Sequence, residues 1–271
     1  MSRLIIEAGR IERNYWRDLW RYRELFVMLA WRDIAVRYRQ TFIGIAWAVL
    51  RPLLPMVVFT VLFGRLAKFP SEGVPYALFV FAAMLPWQFF ASALSEAGGS
   101  LVENERLISK IYFPRLVVPA SALIVSFADF LICSVLLAAL LVWYRFVPPW
   151  QVVTLPLFVG LAFLAALGPG LLLTTLNVSY RDFRYVIPFI VQVGLYVSPV
   201  GFGSGVVPES WRLLYSLNPM VGVIDGFRWA ILGTGRLYWP GLLLSIAVTV
   251  ILLVIGVTSF RKMERSFADV I

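Results

Sequence analysis

The ionisable residues inside apolar stretches are the first candidates for chemistry, because a charge within a membrane-spanning segment is costly and functional by default. Asp129 and Arg51 are the two that qualify. Asp129 could pair with Ser126, with Ser134 or with a residue of another helix. Arg51, which precedes Pro52, could pair or extend its guanidinium toward the interface. Two scattered charges make a poor proton relay, so structural roles are expected for both.

Other kinds of chemistry lack their usual residues. The chain has no histidine and a single cysteine, Cys133, so the commonest general base and metal ligand is missing and no disulfide can form within the chain. No Gly-x-x-x-x-Gly-Lys-Ser/Thr motif occurs, and Gly201, Gly203 and Gly205 lack the lysine of a phosphate-binding loop. We therefore expect no metal site, no cofactor and no enzyme activity in this chain. If ATP drives it, another chain hydrolyses the ATP.

A compact charged segment, residues 98–115, lies between two long apolar stretches and is a candidate contact surface. Ser100 followed by Glu103 fits a capping box. Pro114 cannot continue a helix. The spacing therefore predicts a surface helix of about three turns over residues 101–112.

The two faces of this predicted helix differ in chemistry. The apolar face would carry Leu101, Ile108 and Tyr112, and the charged face would carry Glu103, Arg106 and Lys110. A solvated connector between membrane spans would explain the same charges, so the segment alone does not decide between connector and contact surface.

Aromatic residues in or near the apolar stretches form another group that could bind a ligand. Their rings could stack on the apolar faces of sugars, although lipid contact and interfacial belts explain most such residues in membrane proteins. The group comprises Trp47, Phe59, Phe63, Trp87, Phe89, Phe90, Phe189 and Tyr196.

Composition defines the elements that must position these residues. Of 271 residues 61% are hydrophobic and 14% are charged, and the mean hydropathy is +0.84. These values predict an all-α polytopic membrane protein. We expect six spans near 42–63, 76–95, 116–143, 152–177, 185–202 and 239–260. The chain would be one transmembrane domain, with a cytoplasmic interfacial region over 1–41, the spans over 42–260 and a cytoplasmic tail over 261–271.

The net charge of +9 marks topology rather than a nucleic-acid surface. Nine arginines lie in the first 40 residues among tryptophans and tyrosines, and Ile11, Tyr15, Leu19 and Tyr22 recur at helical spacing. This pattern predicts an amphipathic helix lying in the interface plane.

The distribution of Lys and Arg outside the spans predicts orientation. The side that includes both termini and residues 96–115 has 17, and the opposite side has six. Because Lys and Arg are retained on the cytoplasmic side, both termini and residues 98–115 are expected in the cytoplasm.

The stretch 203–238 is too apolar for a free loop and too short for a full crossing. It predicts two short re-entrant helices on the outer side, one after Pro208 and one from Asn218-Pro219 to Trp229. In the second helix, Asp225 and Arg228 would pair at i, i+3.

Several of these segments together resemble the membrane subunit of ABC transporters that export polysaccharides, the Wzm-type O-antigen permeases, with capsule and teichoic-acid permeases as relatives. The similarity keeps the same order over almost the whole chain. The matching stretches are Trp31-Arg32-Asp33-Ile34, Arg37-Tyr38-Arg39-Gln40-Thr41, Gly44, Arg51-Pro52-Leu53, Leu85-Pro86-Trp87, residues 104–115, Asn177-Val178-Ser179-Tyr180-Arg181-Asp182, Ser198-Pro199-Val200 and Leu217-Asn218-Pro219-Met220.

The resemblance implies an ABC-2 exporter fold, a homodimer in the bacterial inner membrane, and two copies of a separate ATPase that binds ATP and Mg²⁺. The cytoplasmic helix would be the coupling helix, with Leu101, Glu103, Asn104, Glu105, Arg106, Ile108, Lys110, Tyr112 and Arg115 contacting the ATPase. The N-terminal helix would form a gate with Trp31, Arg32, Arg37 and Arg39. Candidate pathway residues are Trp47, Arg51, Trp87, Phe89, Phe90 and Tyr196.

The function implied is export of a lipid-linked polysaccharide, most simply O-antigen. Capsular polysaccharide and teichoic acid are the alternatives within the family. An integral membrane enzyme acting on lipid-linked sugars would need a polar catalytic cluster, which the chain lacks. An ion-coupled transporter would need more charges within its spans than this chain has.

Overall fold

The computed structural model describes residues 15–39, 44–111, 113–234, 237–264 and 267, without the side chains of 39 and 44–48. Over these residues the chain is helical and contains no strand. The α-helices are α1 Tyr15–Arg21, α2 Arg23–Arg39, α3 Gly44–Phe59, α4 Tyr76–Glu103, α5 Glu105–Ile108, α6 Val117–Trp143, α7 Leu155–Ser179, α8 Phe183–Val197, α9 Glu209–Tyr215, α10 Pro219–Leu232 and α11 Trp239–Met263.

Among the described residues, five helical stretches are long and apolar enough to cross a membrane. They are Val49–Leu66, Tyr76–Glu103, Val117–Trp143, Trp150–Ser179 and Trp239–Met263. The apolar helix α8 has 15 residues, fewer than the ~20 that a straight span through a ~30 Å hydrocarbon layer needs. The all-helical, multi-pass prediction is confirmed, and the sixth span stays a prediction.

Two of these stretches include, at one end, helical turns that are tighter or wider than those of an α-helix. A π-helical turn, Thr60–Leu66, continues α3, and a 3₁₀ turn, Trp150–Thr154, precedes α7. Both keep backbone groups paired within the segment, which an apolar surrounding requires.

Helix α4 is the centre of the bundle. Most of its residues are buried, and α3, α6, α7, α8 and α10 pack around it. Leu78, Phe79, Phe81 and Met84 are among the fully buried side chains of the main hydrophobic core. The other helices are therefore positioned by their contacts with α4.

Helices α7 and α11 approach each other at a pair of glycines. A Cβ on Gly256 would lie 2.1 Å from the carbonyl oxygen of Gly168, and a Cβ on Gly168 would lie 2.6 Å from the backbone nitrogen of Leu253. Helices in lipid gain little from the hydrophobic effect and associate through close packing at small residues. Glycine is therefore required at both positions.

The short helices predicted after Pro208 and after Asn218-Pro219 are confirmed as α9 and α10. The Asn218 side chain accepts a hydrogen bond of 3.0 Å from the backbone N–H of Met220, and Pro219 occupies the first turn of α10. Helix α10 ends at Gly233, whose φ of +65° is a left-handed cap. Most of α10 is buried against α4, α7 and α11.

The predicted pairing of Asp225 with Arg228 is present as an attraction between the two charges, but the hydrogen bonds of Arg228 go elsewhere. The Arg228 side chain is 3% exposed and donates to the carbonyl oxygens of Phe79, Val200 and Phe202 at 3.1, 2.8 and 2.8 Å. Its guanidinium carbon lies 3.7 Å from the centre of the Phe79 ring. Arg228 thereby ties α10 to the beginning of α4 and to the segment after α8.

The glycine contact between α7 and α11 yields a stability prediction. Replacing Gly256 with alanine should lower the free energy of unfolding by about 1–3 kcal/mol, because the added methyl group must push two backbones apart. Thermal unfolding of the purified protein in detergent measures the effect. Gly160→Ala in α7 is the matched control, since a Cβ there meets nothing within 4 Å. Equal stability of the two variants would contradict a tight contact.

Candidate functional site

The charged segment of residues 98–115 lies at one end of the bundle, which we call the base. There the end of α4, the single turn α5, helices α1 and α2, and the end of α11 meet around a second hydrophobic cluster. Its buried members include Tyr15, Leu29, Leu101, Ile108, Phe113, Leu116, Leu171, Phe260 and Phe267. The base therefore joins the two ends of the described chain to the segment between α4 and α6.

The helix in this segment differs from the prediction. Helix α4 continues through Ser100 to Glu103, and α5 is a separate turn that begins at Glu105. The Ser100 hydroxyl donates to the carbonyl oxygen of Ala97 at 2.7 Å instead of capping a new helix. The capping-box prediction over 101–112 is wrong, because nothing at Ser100 interrupts α4.

Gly98 explains why α4 continues through a pair of glycines. A Cβ on Gly98 would lie 2.5 Å from Cδ1 of Ile187 in α8. The amide of Asn177 in α7 also donates to the Gly98 carbonyl oxygen at 2.8 Å. The glycine permits close packing of helices rather than ending one.

The predicted coupling residues divide into buried and exposed sets. Leu101 and Ile108 are buried in the cluster of the base. Glu103, Glu105, Arg106 and Lys110 are exposed, and Tyr112 lies outside the described residues. The side chains thus form an anchored turn with a charged outer surface.

Asn104 joins this segment to α2. Its side-chain amide donates to the Ser100 carbonyl oxygen at 2.9 Å, and its side-chain oxygen accepts a bond of 2.9 Å from Arg32. Arg32 also pairs with Asp33 at 2.7 Å. The break between α4 and α5 is therefore held by a side chain of the predicted gate.

Arg115 is turned toward the end of α11 rather than toward solvent. Its backbone N–H donates to the Glu264 carboxylate at 2.7 Å, and its guanidinium bonds to the Glu264 carbonyl oxygen. Burial raises the pKa of the Glu264 carboxyl above its usual value, although the bonds from Arg115 oppose this shift. The structure therefore gives Arg115 an internal contact in place of the predicted exposed one.

The strongest charge cluster of the site is centred on Arg37 of α2. Its guanidinium pairs with Glu96 of α4 and, at 2.8 Å, with Asp129 of α6. Burial lowers the pKa of Arg37, but the two carboxylates outweigh burial and leave the pKa raised. Asp129 thus pairs with another helix, one of the alternatives that its sequence context left open.

Tyr38 contributes a second bond to the same cluster. Its hydroxyl donates to the Asp129 carboxylate, and burial together with this bond raises the pKa of the Tyr38 phenol. The phenol therefore stays protonated and remains a donor. Both bonds to Asp129 come from adjacent residues at the end of α2.

The contacts of α2 show that its second half leads away from the base, toward earlier residues of α4. Arg32 reaches Asn104, whereas Arg37 reaches Glu96, which lies eight residues earlier on α4, a rise of about 12 Å. This inclination is relative to α4, and the location of the helix in the interface plane stays a prediction. Trp31 is 71% exposed on α2, and the Arg39 side chain lies outside the described residues.

The predicted pathway residues divide between the interior and the surface of the subunit. Trp87, Phe89 and Phe90 are buried within the subunit, where Phe89 packs against Phe127, Phe130 and Phe163. Enclosure by the helices of the same subunit argues against a lining role, and the pathway assignment of these three residues stays a prediction. Arg51 and Tyr196 are exposed, and the Trp47 side chain lies outside the described residues.

Glu96, Tyr38 and Glu264 are the site residues that the sequence interpretation missed. Because the hydropathy pattern ends span two at residue 95, it places Glu96 in a loop. Glu96 and Glu103 are seven residues apart, which is two helical turns, and continuing α4 across them would have put both on one face. The roles of Tyr38 and Glu264 depend on contacts that no local pattern records.

The site offers structural ion pairs rather than a catalytic arrangement. Within the described residues, no group of three or more His, Cys, Asp or Glu side chains could hold a metal ion. Asp129 and Glu96 have Arg37 as a common partner. The arrangement can therefore fix α2 to the bundle and present a charged surface at α5.

Comparison of the amino-acid sequence with known proteins identifies a family. The family model described as ABC-2 type transporter matches residues 24–232. An O-antigen export system permease protein, RfbA, of Myxococcus xanthus is 30% identical over 93% of this chain and 97% of the relative.

Two further relatives extend the comparison. An RfbA protein of Klebsiella pneumoniae, with the same description, is 26% identical over 92% of this chain and 95% of the relative. A polysialic acid transport protein of Escherichia coli, KpsM, is 21% identical over 87% of this chain and 92% of the relative.

The Arg37 cluster predicts that one side chain limits the motion of α2. In Arg37→Met, α2 should separate from α6 more often, because the charged contacts to Glu96 and Asp129 are lost. Spin labels on cysteines at the exposed positions Val36 and Val135, in a Cys133→Ala background, measure the distance between the two helices. A broadened distance distribution is expected.

The matched control for this experiment is Arg23→Met, which removes an exposed arginine from the same helix. It should leave the distance distribution unchanged. An identical distribution in wild type and Arg37→Met would show that the cluster does not hold α2.

Proposed function

The chain belongs to the ABC-2 type transporter family, and on that basis we propose that it is the permease subunit of an ABC transporter that exports O-antigen polysaccharide. Energy comes from a separate ATPase subunit. The permease itself catalyses no covalent reaction.

One observation carries the substrate assignment. The relatives described as O-antigen export permeases match more than nine-tenths of this chain and of their own length, in two different bacteria. Matches of this extent relate whole permease domains rather than one shared motif. The chain is therefore treated as a single permease domain over residues 1–271.

Capsular polysaccharide is the second candidate substrate. It is favoured by the similarity to the polysialic acid transport protein, which covers most of both chains at lower identity. Teichoic acid stays a more distant alternative from the sequence resemblance. All three substrates are long glycans, so they leave the class of transport unchanged.

The energy source is assigned from the sequence. The chain has no phosphate-binding loop of the Gly-x-x-x-x-Gly-Lys-Ser/Thr type, so ATP and Mg²⁺ are expected on the partner ATPase. Asp129 shares an ion pair with Arg37, which favours a structural role over ion coupling. ATP hydrolysis on another chain is therefore the expected driving reaction.

The orientation follows from the distribution of Lys and Arg. The base has the Lys- and Arg-rich segments of the chain, which are retained in the cytoplasm. Both termini would lie there, and α9 and α10 would face the opposite side of the bacterial inner membrane. The exposed turn α5 would then be accessible to a cytoplasmic ATPase.

The translocation pathway is assigned to the contact between two copies of the chain. Helices α3 and α8 have exposed apolar residues, among them Leu54, Val57, Phe189, Val193 and Tyr196. A subunit whose own aromatic residues fill its core has no internal channel for a glycan. In this proposal Arg51 and Tyr196 remain candidate lining residues, and α8 supplies the sixth span.

The base supplies the proposed ATPase contact. Leu101 and Ile108 anchor the α5 segment in the hydrophobic cluster, while Glu103 and Arg106 remain exposed beside it. Asn104 links the same segment to Arg32 of α2. A push on α5 would therefore reach both α4 and the proposed gate helix.

The substrate assignment is tested by deleting the gene in its own host. Cells should lose the O-antigen ladder of their surface lipopolysaccharide on gels and accumulate lipid-linked glycan inside. Reintroducing the wild-type gene should restore the ladder, and capsule is quantified in parallel. A normal ladder with lost capsule would favour the second candidate. ATP hydrolysis by the purified chain alone would contradict the permease assignment.

Charge reversal at α5 tests the ATPase contact. Arg106→Glu should lower the glycan exported per ATP hydrolysed by at least about fivefold, the size of a contact worth ~1 kcal/mol. Export and ATP hydrolysis are measured on the complex in the same vesicles. Arg65→Glu, at an exposed arginine near the opposite end of the bundle, is the matched control. Normal coupling in Arg106→Glu would exclude this residue from the contact.

A further inference from the structure

The end of the bundle opposite the base contains a polar cavity that the transport assignment does not use. Its volume is about 220 Å³, and its walls include Glu72, Arg212, Asp225, Arg228 and Thr234. They come from the segment before α4, from α9 and α10, and from the residue after Gly233. Several chain segments therefore build the cavity together.

The charged walls of the cavity are fixed in place. Arg228 is held by three backbone carbonyl oxygens, and the Asp225 carboxylate accepts a hydrogen bond from Ser204. Glu72 lies at the exposed rim of the cavity, and its φ of +55° is an uncommon left-handed conformation for a non-glycine residue. Such preformed polar walls are typical of binding sites.

Two polar atoms at the cavity lack partners among the described residues. The Thr234 hydroxyl oxygen and Nε of Arg212 are both buried and make no hydrogen bond. Thr234 as a whole is 9% exposed. Leaving a buried polar atom unpaired is costly, so both atoms indicate that the cavity takes a molecule with hydrogen-bonding groups.

The mixture of charged and polar groups in the cavity wall determines which kind of molecule could bind there. Glu72 and Asp225 repel anions, whereas Arg212 and Arg228 repel cations. Carboxylates accept hydrogen bonds, guanidinium groups donate them, and a hydroxyl does both. A neutral group with several adjacent hydroxyls satisfies this set. The half-buried indole of Trp229, which also lines the cavity, adds an aromatic surface for the apolar face of such a group.

We propose that the cavity binds a sugar residue of the exported glycan as it leaves the transporter. This inference rests on the proposed function, because a polysaccharide is what would bring sugar hydroxyls to this end of the bundle. Thr234 and Glu72 bind sugar hydroxyls, and Arg212 donates to a sugar oxygen. The cavity would hold the emerging chain against backward movement.

The test measures binding to the intact transporter complex in nanodiscs. The probe is the fluorescently tagged, lipid-free oligosaccharide released by mild acid from the surface glycan of the same strain, followed by equilibrium dialysis. Wild type should bind it saturably. Thr234→Val and Glu72→Ala should each weaken binding by about tenfold, because each removes a group that hydrogen-bonds to the sugar.

Matched controls separate the cavity from general effects. Thr258→Val alters an exposed threonine of α11 and should leave binding unchanged. Gly205→Leu adds bulk at the cavity wall and should abolish binding, whereas Gly160→Leu should not, although a Cβ at either glycine meets nothing within 4 Å. Inorganic phosphate should not compete with the oligosaccharide.

Two outcomes would overturn the inference. One is equal binding in cavity variants and controls, and the other is competition by inorganic phosphate, which would identify an anion site. Glycan export by the same complexes distinguishes the two proposals. If export is normal and the cavity variants bind the oligosaccharide as well as wild type does, the sugar site alone is rejected. If the wild-type complex exports no glycan, the proposed function is rejected.

Discussion

The burial of α4 on nearly all sides is the constraint on which the rest of the structure depends. Its 28 residues run from the end that holds Arg228 to the base. Near one end the Phe79 carbonyl oxygen accepts from Arg228, and near the other Glu96 pairs with Arg37. Because interiors are close-packed, α4 cannot shift at one end without disturbing neighbours along its length. Base and cavity are therefore mechanically connected.

The charges near α4 are distributed so that each end has a different kind of tie. At the base, Arg37 joins α2 to two acidic side chains that remain partly exposed, and such pairs can open at modest cost. At the other end, Arg228 is buried and bonded to three backbone carbonyl oxygens. The first arrangement suits a helix that moves, and the second suits a fixed scaffold.

Local sequence patterns predicted the features that local interactions determine. Helix α10 was predictable because Asn218 caps it within two residues and Pro219 fits its first turn. Burial of Leu101 and Ile108 was predictable because their periodicity persists even though the helix divides at Asn104. The same reasoning failed at Gly98, since a glycine that ends a helix and one that admits a neighbouring helix look identical in a sequence.

Contacts between residues that are distant in the sequence could not be predicted, for a physical reason. Arg37 lies 59 residues from Glu96 and 92 from Asp129, and these distances in sequence carry no periodic signal. Arg228 bonds to backbone carbonyl oxygens, which every residue has, so its partners cannot be identified from the residue types. The prediction of Asp225 as partner followed helical spacing, and it missed the three acceptors that the fold supplies.

The bonds between Arg115 and Glu264 have a practical consequence for anyone who purifies this protein. They place the end of α11 beside the segment that follows α5. A fusion joined after Ile271 begins eight residues beyond Glu264, so its first residue lies within about 30 Å of Glu264 even on a fully extended linker. An affinity tag or fluorescent protein there would therefore lie near the α5 segment, whereas an insertion beside Arg145, in the loop between α6 and α7, would lie at the opposite end of α6.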